Sequence, residues 1–299
     1  MKVVVFGGSG FLGSNVADEL TKRGHEVAIF ARTESPYLQA GQQMVCGDIL
    51  DAVAVANAVA GADYVYNFAG IADLDDATTK PLATAQLNII GNLNIMEACV
   101  AAKVKRFVYA SSIYVYSQKG GFYRCSKQAS EVYIEEYQRR YNLPFTIVRY
   151  GTLYGPRADG RNSVYRYLRD AMEKKELVCR GTGNEMRDYI HVCDAARLSV
   201  DILEEKFANQ HVILSGHQSI RFMTLLETIK EMLDGEVTIR HIEEKSKDHY
   251  AFTPYSYNPK IGFKLVDNIY MDMGQGLLDC LQDMYGEIQL KDNSFNELS

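Results

Sequence analysis

Tyr123-Arg124-Cys125-Ser126-Lys127 sets a phenol and an ammonium four residues apart. In a helix that spacing puts both groups on one face. A nearby cation favours the phenolate, so Lys127 would make Tyr123 a usable acid and base near neutral pH. Just upstream, Phe107-Val108-Tyr109-Ala110-Ser111-Ser112 reads as a strand ending in two serines. Ligands of open α/β sheets bind at the carboxyl ends of parallel strands. Ser112 is therefore placed to hydrogen-bond the hydroxyl that Tyr123 deprotonates, although a Ser-Ser pair alone reads more often as loop filler. In a chain with 20 tyrosines, about one such Tyr–Lys spacing arises by chance, so the motif takes its meaning from this context. Together Ser112, Tyr123 and Lys127 make a coherent site for oxidising an alcohol.

The N-terminus carries a second set of residues with a chemical reading. Lys2–Phe6 is a strand-like run that passes straight into Gly7-Gly8-Ser9-Gly10-Phe11-Leu12-Gly13 and then a helical pattern. Gly7 allows a tight turn, Gly10 lets the backbone approach a pyrophosphate, and Gly13 lets the helix pack close to the strand. The free N–H groups and positive end of that helix face the phosphates. A dinucleotide site is expected here, against the alternative of a plain glycine turn. The second strand ends Ile29-Phe30-Ala31-Arg32. It lacks the acid that would bind the ribose 2′-OH of NAD, and Arg32 tilts the reading of an NAD(P) cofactor toward NADP. The alternative is that Arg32 is a solvated arginine beside Glu34. Asp48, after the third strand, is placed to reach an adenine amino group or to cap the helix starting near Asp51.

These residues need a scaffold, and the chain supplies one. Apolar runs at 2–6, 26–31, 43–46, 64–68, 106–110 and 145–149 alternate with helical patterns at 12–23, 52–60, 83–102 and 125–141. Continuous apolar strands separated by crossover helices predict an α/β fold of the Rossmann type, a doubly wound parallel sheet covered on both faces. After Gly155 the pattern loosens. Helical patterns at 162–175 and 222–233 and short strands at 177–179, 212–215 and 237–241 suggest a smaller C-terminal substrate-binding region. The strand near 212 is expected to return to the main sheet. The expected division is 1–155 with a returning segment at about 188–216 for the dinucleotide, and about 156–187 with 217–299 for the substrate. Residues 291–299 are polar and read as a frayed end.

Composition excludes several classes. A net charge of −6 with mixed signs and no basic tract argues against nucleic acid or an anionic membrane as partner. No stretch approaches the roughly 18 apolar residues of a membrane span, and Met1–Gly13 does not read as a signal peptide. The six cysteines lack CxxC or metal spacing and read as reduced thiols of a cytoplasmic protein. The six histidines show no metal spacing either, and His191 reads as structural.

Motifs in series now identify a resemblance. GGSGFLG at 7–13, Asp48-Ile49, Asn88 with Gly91, SIYVY at 112–116, Tyr123 with Lys127, RYGTLYGPR at 149–157 and RDYIHVCDAA at 187–196 occur in order over most of residues 1–217. The chain resembles the extended short-chain dehydrogenase/reductase superfamily, among its NAD(P)-dependent nucleotide-sugar epimerases and dehydratases. The resemblance implies cofactor contacts at Gly7, Gly10, Phe11, Leu12, Gly13, Arg32, Asp48, Ile49, Ala69, Asn88, Tyr123, Lys127 and Tyr150. It implies that Tyr123 takes the proton of a sugar hydroxyl, Ser112 polarises the same oxygen and Lys127 holds the ribose hydroxyls. It assigns substrate contacts to Ser112, Thr152 and Arg187, the last binding the diphosphate of a nucleotide-sugar, against an alternative of a surface ion pair with Asp188 or Glu185. It also implies a homodimer through the helices at 83–102 and 125–141; Val132 and Ile134 on the second could serve that or the monomer core.

The chain departs from the family pattern in three places. Only ten residues separate Ser112 from Tyr123, about half the usual loop. Thr152 stands where the family often has asparagine. Ile113 follows Ser112 with no Asp-Glu pair, which argues against dehydration. The leading expectation is a nucleotide-sugar epimerase acting at C4. An NADPH-dependent ketosugar or aldehyde reductase is the alternative that Arg32 supports. A non-catalytic dinucleotide sensor is the third, disfavoured because both Tyr123 and Lys127 are present. Tyr250, Tyr255, Tyr257 and Asn258 form an aromatic cluster that either stacks on a base or sugar or packs a turn.

Overall fold

In the computed structural model, residues 1–216, 219–233, 235–242 and Pro254 are described. The Tyr250, Tyr255, Tyr257 and Asn258 cluster and the end at 291–299 lie outside them. In chain order the elements are β1 (Lys2–Phe6), α1 (Phe11–Lys22), β2 (Glu26–Ala31), β3 (Gln42–Cys46), α2 (Ala52–Val59), β4 (Tyr64–Asn67), α3 (Leu74–Thr79), α4 (Pro81–Ala85), α5 (Gly91–Ala102), β5 (Arg106–Ser112), α6 (Gly121–Tyr141), β6 (Phe145–Tyr150), β7 (Thr152–Tyr154), α7 (Ser163–Lys174), β8 (Glu176–Arg180), β9 (Met186–His191), α8 (Val192–Asp201), β10 (Gln210–Leu214), β11 (Ser219–Arg221), α9 (Phe222–Met232) and β12 (Thr238–Ile242). A π-helical segment, Gln86–Ile90, joins α4 to α5, and a 3₁₀ turn, Ile113–Tyr116, follows β5.

Seven parallel strands form the main sheet in the order β10-β6-β5-β4-β1-β2-β3. The order reverses at β1, which opens a crevice at the carboxyl ends of β1 and β4 where dinucleotides bind in such folds. Side chains alternate faces along each strand. Val4, Phe6, Val65, Phe107 and Tyr109 therefore pack under α2, α5 and α6 with Val55, Ile95, Met96 and Ile134. Val3, Val5, Val27, Tyr66 and Val148 pack on the other face against Val16 and Leu20 of α1 and Ala195 and Val200 of α8. Each large apolar side chain so buried contributes about 1.5–3 kcal/mol. This double burial explains why the strands read as unbroken apolar runs.

The expected return of a strand near 212 appears as β10, paired in parallel with β6. Sequence patterning missed β7, β9, β11, α3 and α8. The strands are short and completed by distant partners, β9 pairing with both β7 and β11, and α8 completes its buried face against α1. A separate small core, Ala171, Leu177, Cys179, Phe222, Leu226, Ile229 and Val237, ties α7 and α9 to the β8–β12 pair. Ile134 belongs to the monomer's own core at 0% exposure, whereas Val132 is 62% exposed.

Candidate active site

The turn after β1 is built around close backbone approach. Gly7 adopts φ +75°, and a Cβ there would meet the Ala69 nitrogen at 2.7 Å. A Cβ on Gly13 would lie 2.4 Å from the Gly7 carbonyl oxygen. Gly10 is the N-cap of α1; it donates to the Gly7 carbonyl at 3.0 Å and accepts from Ser14 N at 3.0 Å. No side chain caps α1 and no acid stands in its first turn. Phe11, Leu12 and Gly13 thus begin a helix whose positive end is left for an anion. Glycines packed this tightly against backbone, ahead of an uncapped helix, fit a pyrophosphate.

The flanks of this turn hold the other residues expected to meet the cofactor. Arg32 follows β2 directly and is exposed. Asp48 accepts from Leu50 N at 2.9 Å, so it shapes its own loop. It does not cap α2: Asp51 does, accepting from Val53 N and Ala54 N at 3.0 Å each. Ile49 is buried against Gly91, where a Cβ would meet the Ile49 Cδ1 at 2.5 Å. Ala69 donates its N–H to Asn67 Oδ1 at 3.0 Å.

Tyr123 and Lys127 lie one turn apart near the start of α6, and both are buried. The helix begins four residues earlier than its periodicity suggested, because Gly120 (φ +94°) and Gly121 (φ +47°) turn the chain sharply. Lys127 Nζ donates to the Ala110 carbonyl at 2.7 Å and stands 4.7 Å from the Tyr109 ring centre and 5.7 Å from that of Tyr123. Burial pushes the Lys127 ammonium down to about 8, with Glu131 opposing that shift. Ser112 ends β5, is buried, and accepts from Tyr114 N at 3.3 Å.

The ten-residue connection between Ser112 and Tyr123 is latched to α6. Gln128 donates to the Val115 carbonyl at 2.7 Å, and Arg124 to that of Ser117 at 3.2 Å. The latch seats Tyr114 edge-on against Tyr123, ring centres 6.2 Å apart. A Cβ at Gly120 would meet the Tyr114 ring at 2.6 Å.

Asn88 sits in the π-helical segment, a type of widened turn often found at functional sites. It accepts from Ile71 N at 2.7 Å and donates to the Ile71 carbonyl and to Ser126 Oγ at 2.9 Å each. Its own carbonyl accepts from Ser130 Oγ at 2.8 Å. One side chain therefore pins the loop after β4 to the helix bearing Tyr123.

Tyr150 ends β6 as the register partner of Ser112, and Thr152 and Arg187 follow on β7 and β9. Tyr150 spends its phenol on Ser199 of α8 at 2.6 Å, and burial pushes that phenol well up. Thr152 opens β7, paired with Tyr189 of β9. Arg187 lies in β9 opposite Ile220 and donates to the Met186 carbonyl at 3.2 Å. His191 caps α8, accepting from Cys193 N at 3.3 Å, which is a structural duty.

Sequence reading missed Ser111, Glu131 and Arg149. Ser111 Oγ donates to Glu131 at 2.5 Å, and Arg149 grips the same carboxylate at 3.0 and 2.6 Å. The available signal was Glu131 four residues after Lys127, a same-face pair on a helix. Among the described residues no His, Cys, Asp or Glu cluster could hold a metal ion, and no helix is long and apolar enough to cross a membrane.

A parallel sheet reversing at its glycine turn, with Ser112 ending β5 and the Tyr123–Lys127 pair tied to that strand through the Ala110 carbonyl, defines a dinucleotide-dependent α/β enzyme. The family model described as the NAD dependent epimerase/dehydratase family matches residues 3–215. The chain belongs to that family, in the extended branch of the short-chain dehydrogenases/reductases. It is 27% identical over 268 residues to a UDP-N-acetyl-alpha-D-glucosaminuronate decarboxylase of Bacillus cytotoxicus, covering 81% of this chain and 83% of the relative. It is 24% identical over 261 residues to a dTDP-glucose 4,6-dehydratase of Mycobacterium tuberculosis, covering 79% and 78%. Its fold superimposes on UDP-glucose 4-epimerase from Thermotoga maritima, solved with UDP-glucose, at a TM-score of 0.79 and 25% identity, covering 86% and 90% of the two chains.

Proposed function

We propose that this enzyme epimerises a nucleotide-activated sugar at C4, with Tyr123 as the acid and base. The observation that carries this is the Tyr123–Lys127 pair on one face of α6, fastened by Lys127 to the Ala110 carbonyl two residues before Ser112 at the end of β5. Gly7, Gly10, Phe11, Leu12 and Gly13 would hold the pyrophosphate, with Asp48, Ile49 and Ala69 along the adenosine and Asn88, Lys127 and the Tyr150 backbone toward the nicotinamide. Bound there, the dinucleotide supplies reversible hydride acceptance. Tyr123 takes the sugar hydroxyl proton and later returns it. Ser112 donates to the same oxygen, and Lys127 lowers the cost of the phenolate. Thr152 and Arg187 hold the nucleotide diphosphate. Relatives of this chain include a dehydratase and a decarboxylase; Ile113 and Tyr114, where dehydration calls for acids, favour epimerisation here.

Arg32, exposed at the end of β2, favours a second reading: a ketosugar reductase with exchangeable NADPH. The cofactor content of the purified protein and a panel of nucleotide-sugars, with NAD+ or NADPH and product stereochemistry as readout, separate the two. Stoichiometric bound NAD+ and a C4 epimer support the first; an empty site that binds NADPH and net reduction support the second. In either case Tyr123→Phe abolishes turnover and leaves dinucleotide binding nearly intact. A variant with full turnover overturns both readings.

We further infer that 1–155 with 188–216 serves the dinucleotide and the remainder the sugar. The exposed Val132 and Tyr133 on α6 favour a homodimer, for which sedimentation of Val132→Glu against the wild type is the test. Five cysteines as free thiols among the described residues favour a reducing, cytoplasmic setting.

A further inference from the structure

The buried groups behind the candidate site form one connected unit that the reaction outlined above does not use. Glu131, 6% exposed, lies one turn beyond Lys127 on α6. Its Oε1 accepts from Ser111 Oγ at 2.5 Å and Arg149 Nε at 3.0 Å, and its Oε2 from Arg149 Nη2 at 2.6 Å. Arg149 then reaches the Tyr116 hydroxyl at 2.5 Å while stacking over that ring at 4.7 Å. It also donates to His211 Nδ1 at 2.8 Å, which leaves His211 Nε2–H to face Glu135 at 3.0 Å. Ser111 and Tyr116 bracket the turn that begins at Ser112. Both ends of that turn are thus fastened to one carboxylate, directly at Ser111 and through Arg149 at Tyr116.

The same carboxylate lies one helical turn from Lys127 and is the charge that favours its protonated form. The groups around that ammonium are the Tyr109 ring and Ala110 carbonyl of β5 and Tyr123 and Glu131 of α6. Arg149 of β6, Tyr116 and His211 of β10 lie beyond Glu131 in the network. A desolvated ammonium without a nearby anion sheds its proton readily, and a neutral Lys127 gives no help to the Tyr123 phenolate.

We propose that Glu131 is a positioning residue for the acid–base pair: its carboxylate clamps the Ser112–Tyr116 turn and sets a negative charge one helical turn from Lys127, the partner of Tyr123. This rests on the reading of Tyr123 as the proton-transfer group. The clamp and the charge are separable. Glu131→Gln removes the charge and turns an amide N–H2 against the clamp's donors, loosening it as well; Ser111→Ala keeps the charge and releases one arm of the clamp alone.

Two readouts need no knowledge of the sugar. The first is the Tyr123 titration, followed by NMR of the full chain labelled at tyrosine Cζ and saturated with NAD+, the signal being identified by its loss in Tyr123→Phe. Glu131→Gln raises its midpoint by about one pH unit, a tenfold loss of phenolate near neutrality. The second is amide hydrogen exchange at residues 113–116, which rises about tenfold or more in Ser111→Ala while the Tyr123 midpoint stays in place. Should Glu131→Gln not fold, Glu131→Asp keeps the charge at shorter reach: exchange in the turn rises and the midpoint stays near that of the wild type. An unmoved midpoint in folded Glu131→Gln, or unchanged exchange in Ser111→Ala or Glu131→Asp, overturns the proposal. A wild-type midpoint at the ordinary tyrosine value of about 10 instead defeats the acid–base reading of Tyr123, whatever Glu131 does.

Discussion

Lys127 Nζ stands 5.7 Å from the centre of the Tyr123 ring while its hydrogen bond to the Ala110 carbonyl, 2.7 Å long, fixes it to the end of β5. A cation so held acts on the phenol only while it keeps its proton. Burial brings the ammonium from its ordinary 10.5 down to about 8. The charge is therefore present below that pH and lost above it. Turnover should fall on the alkaline side with a midpoint near 8, and Lys127→Met should cost about 10²-fold or more in kcat. A pH–rate profile checks both. Stability runs the other way: between about 8 and 10.5 the unfolded chain binds the extra proton, so unfolding free energy rises with pH in that window. A urea series at pH 7.5 and 9.5 reads that contribution.

Asn88 is the bracket between the loop after β4 and α6. Asn88→Ala leaves the N–H and C=O of Ile71 without their partner, while Ser126 Oγ keeps its bond to the Tyr123 carbonyl. Orphaned buried groups cost about 1–3 kcal/mol each. A loss of at least about 2 kcal/mol is expected, seen as a lower urea midpoint at unchanged slope.

Gly13→Ala places a methyl 2.4 Å from the Gly7 carbonyl oxygen and 3.0 Å from the Gly7 carbonyl carbon and the Gly8 Cα. Backbone cannot step aside as a flexible side chain does, so overpacking of about 1–3 kcal/mol is expected, together with at least tenfold weaker dinucleotide binding by calorimetry. Gly160→Ala is the control. Its new methyl meets only Arg169 Nη1 at 3.8 Å, and stability should stay within about 0.5 kcal/mol.

Arg32 tests cofactor choice. If its guanidinium pairs with a 2′-phosphate, Arg32→Ala weakens NADP binding by about 1.5–3 kcal/mol and leaves NAD binding unchanged. Parallel titrations with the two dinucleotides check this. Equal affinities before and after the substitution would assign Arg32 to the solvated surface.

The Rossmann sheet was legible in the sequence because its signals are local and repetitive. Apolar strands such as Lys2–Phe6 and Glu26–Ala31 each carry their own pattern, and the structure places them at those residues. The α6 boundary was less legible, because two glycines in left-handed conformations extend the helix back to Gly121. β7, β9 and β11 were missed because strands of three to six residues on a small sheet carry little periodicity of their own.

The glycine spacing at 7–13 and the step from Tyr123 to Lys127 were fixed by the sequence, since a tight turn and one helical turn need nothing outside their own few residues. Only the folded chain decided that Ser111 would meet Glu131 and Arg149, and that Asn88 would reach both Ile71 and Ser126. Those contacts join residues 17 to 38 positions apart. Their geometry depends on how α6 and the π-helical segment dock on β5 and β6, a matter of side-chain packing across elements that no local pattern encodes.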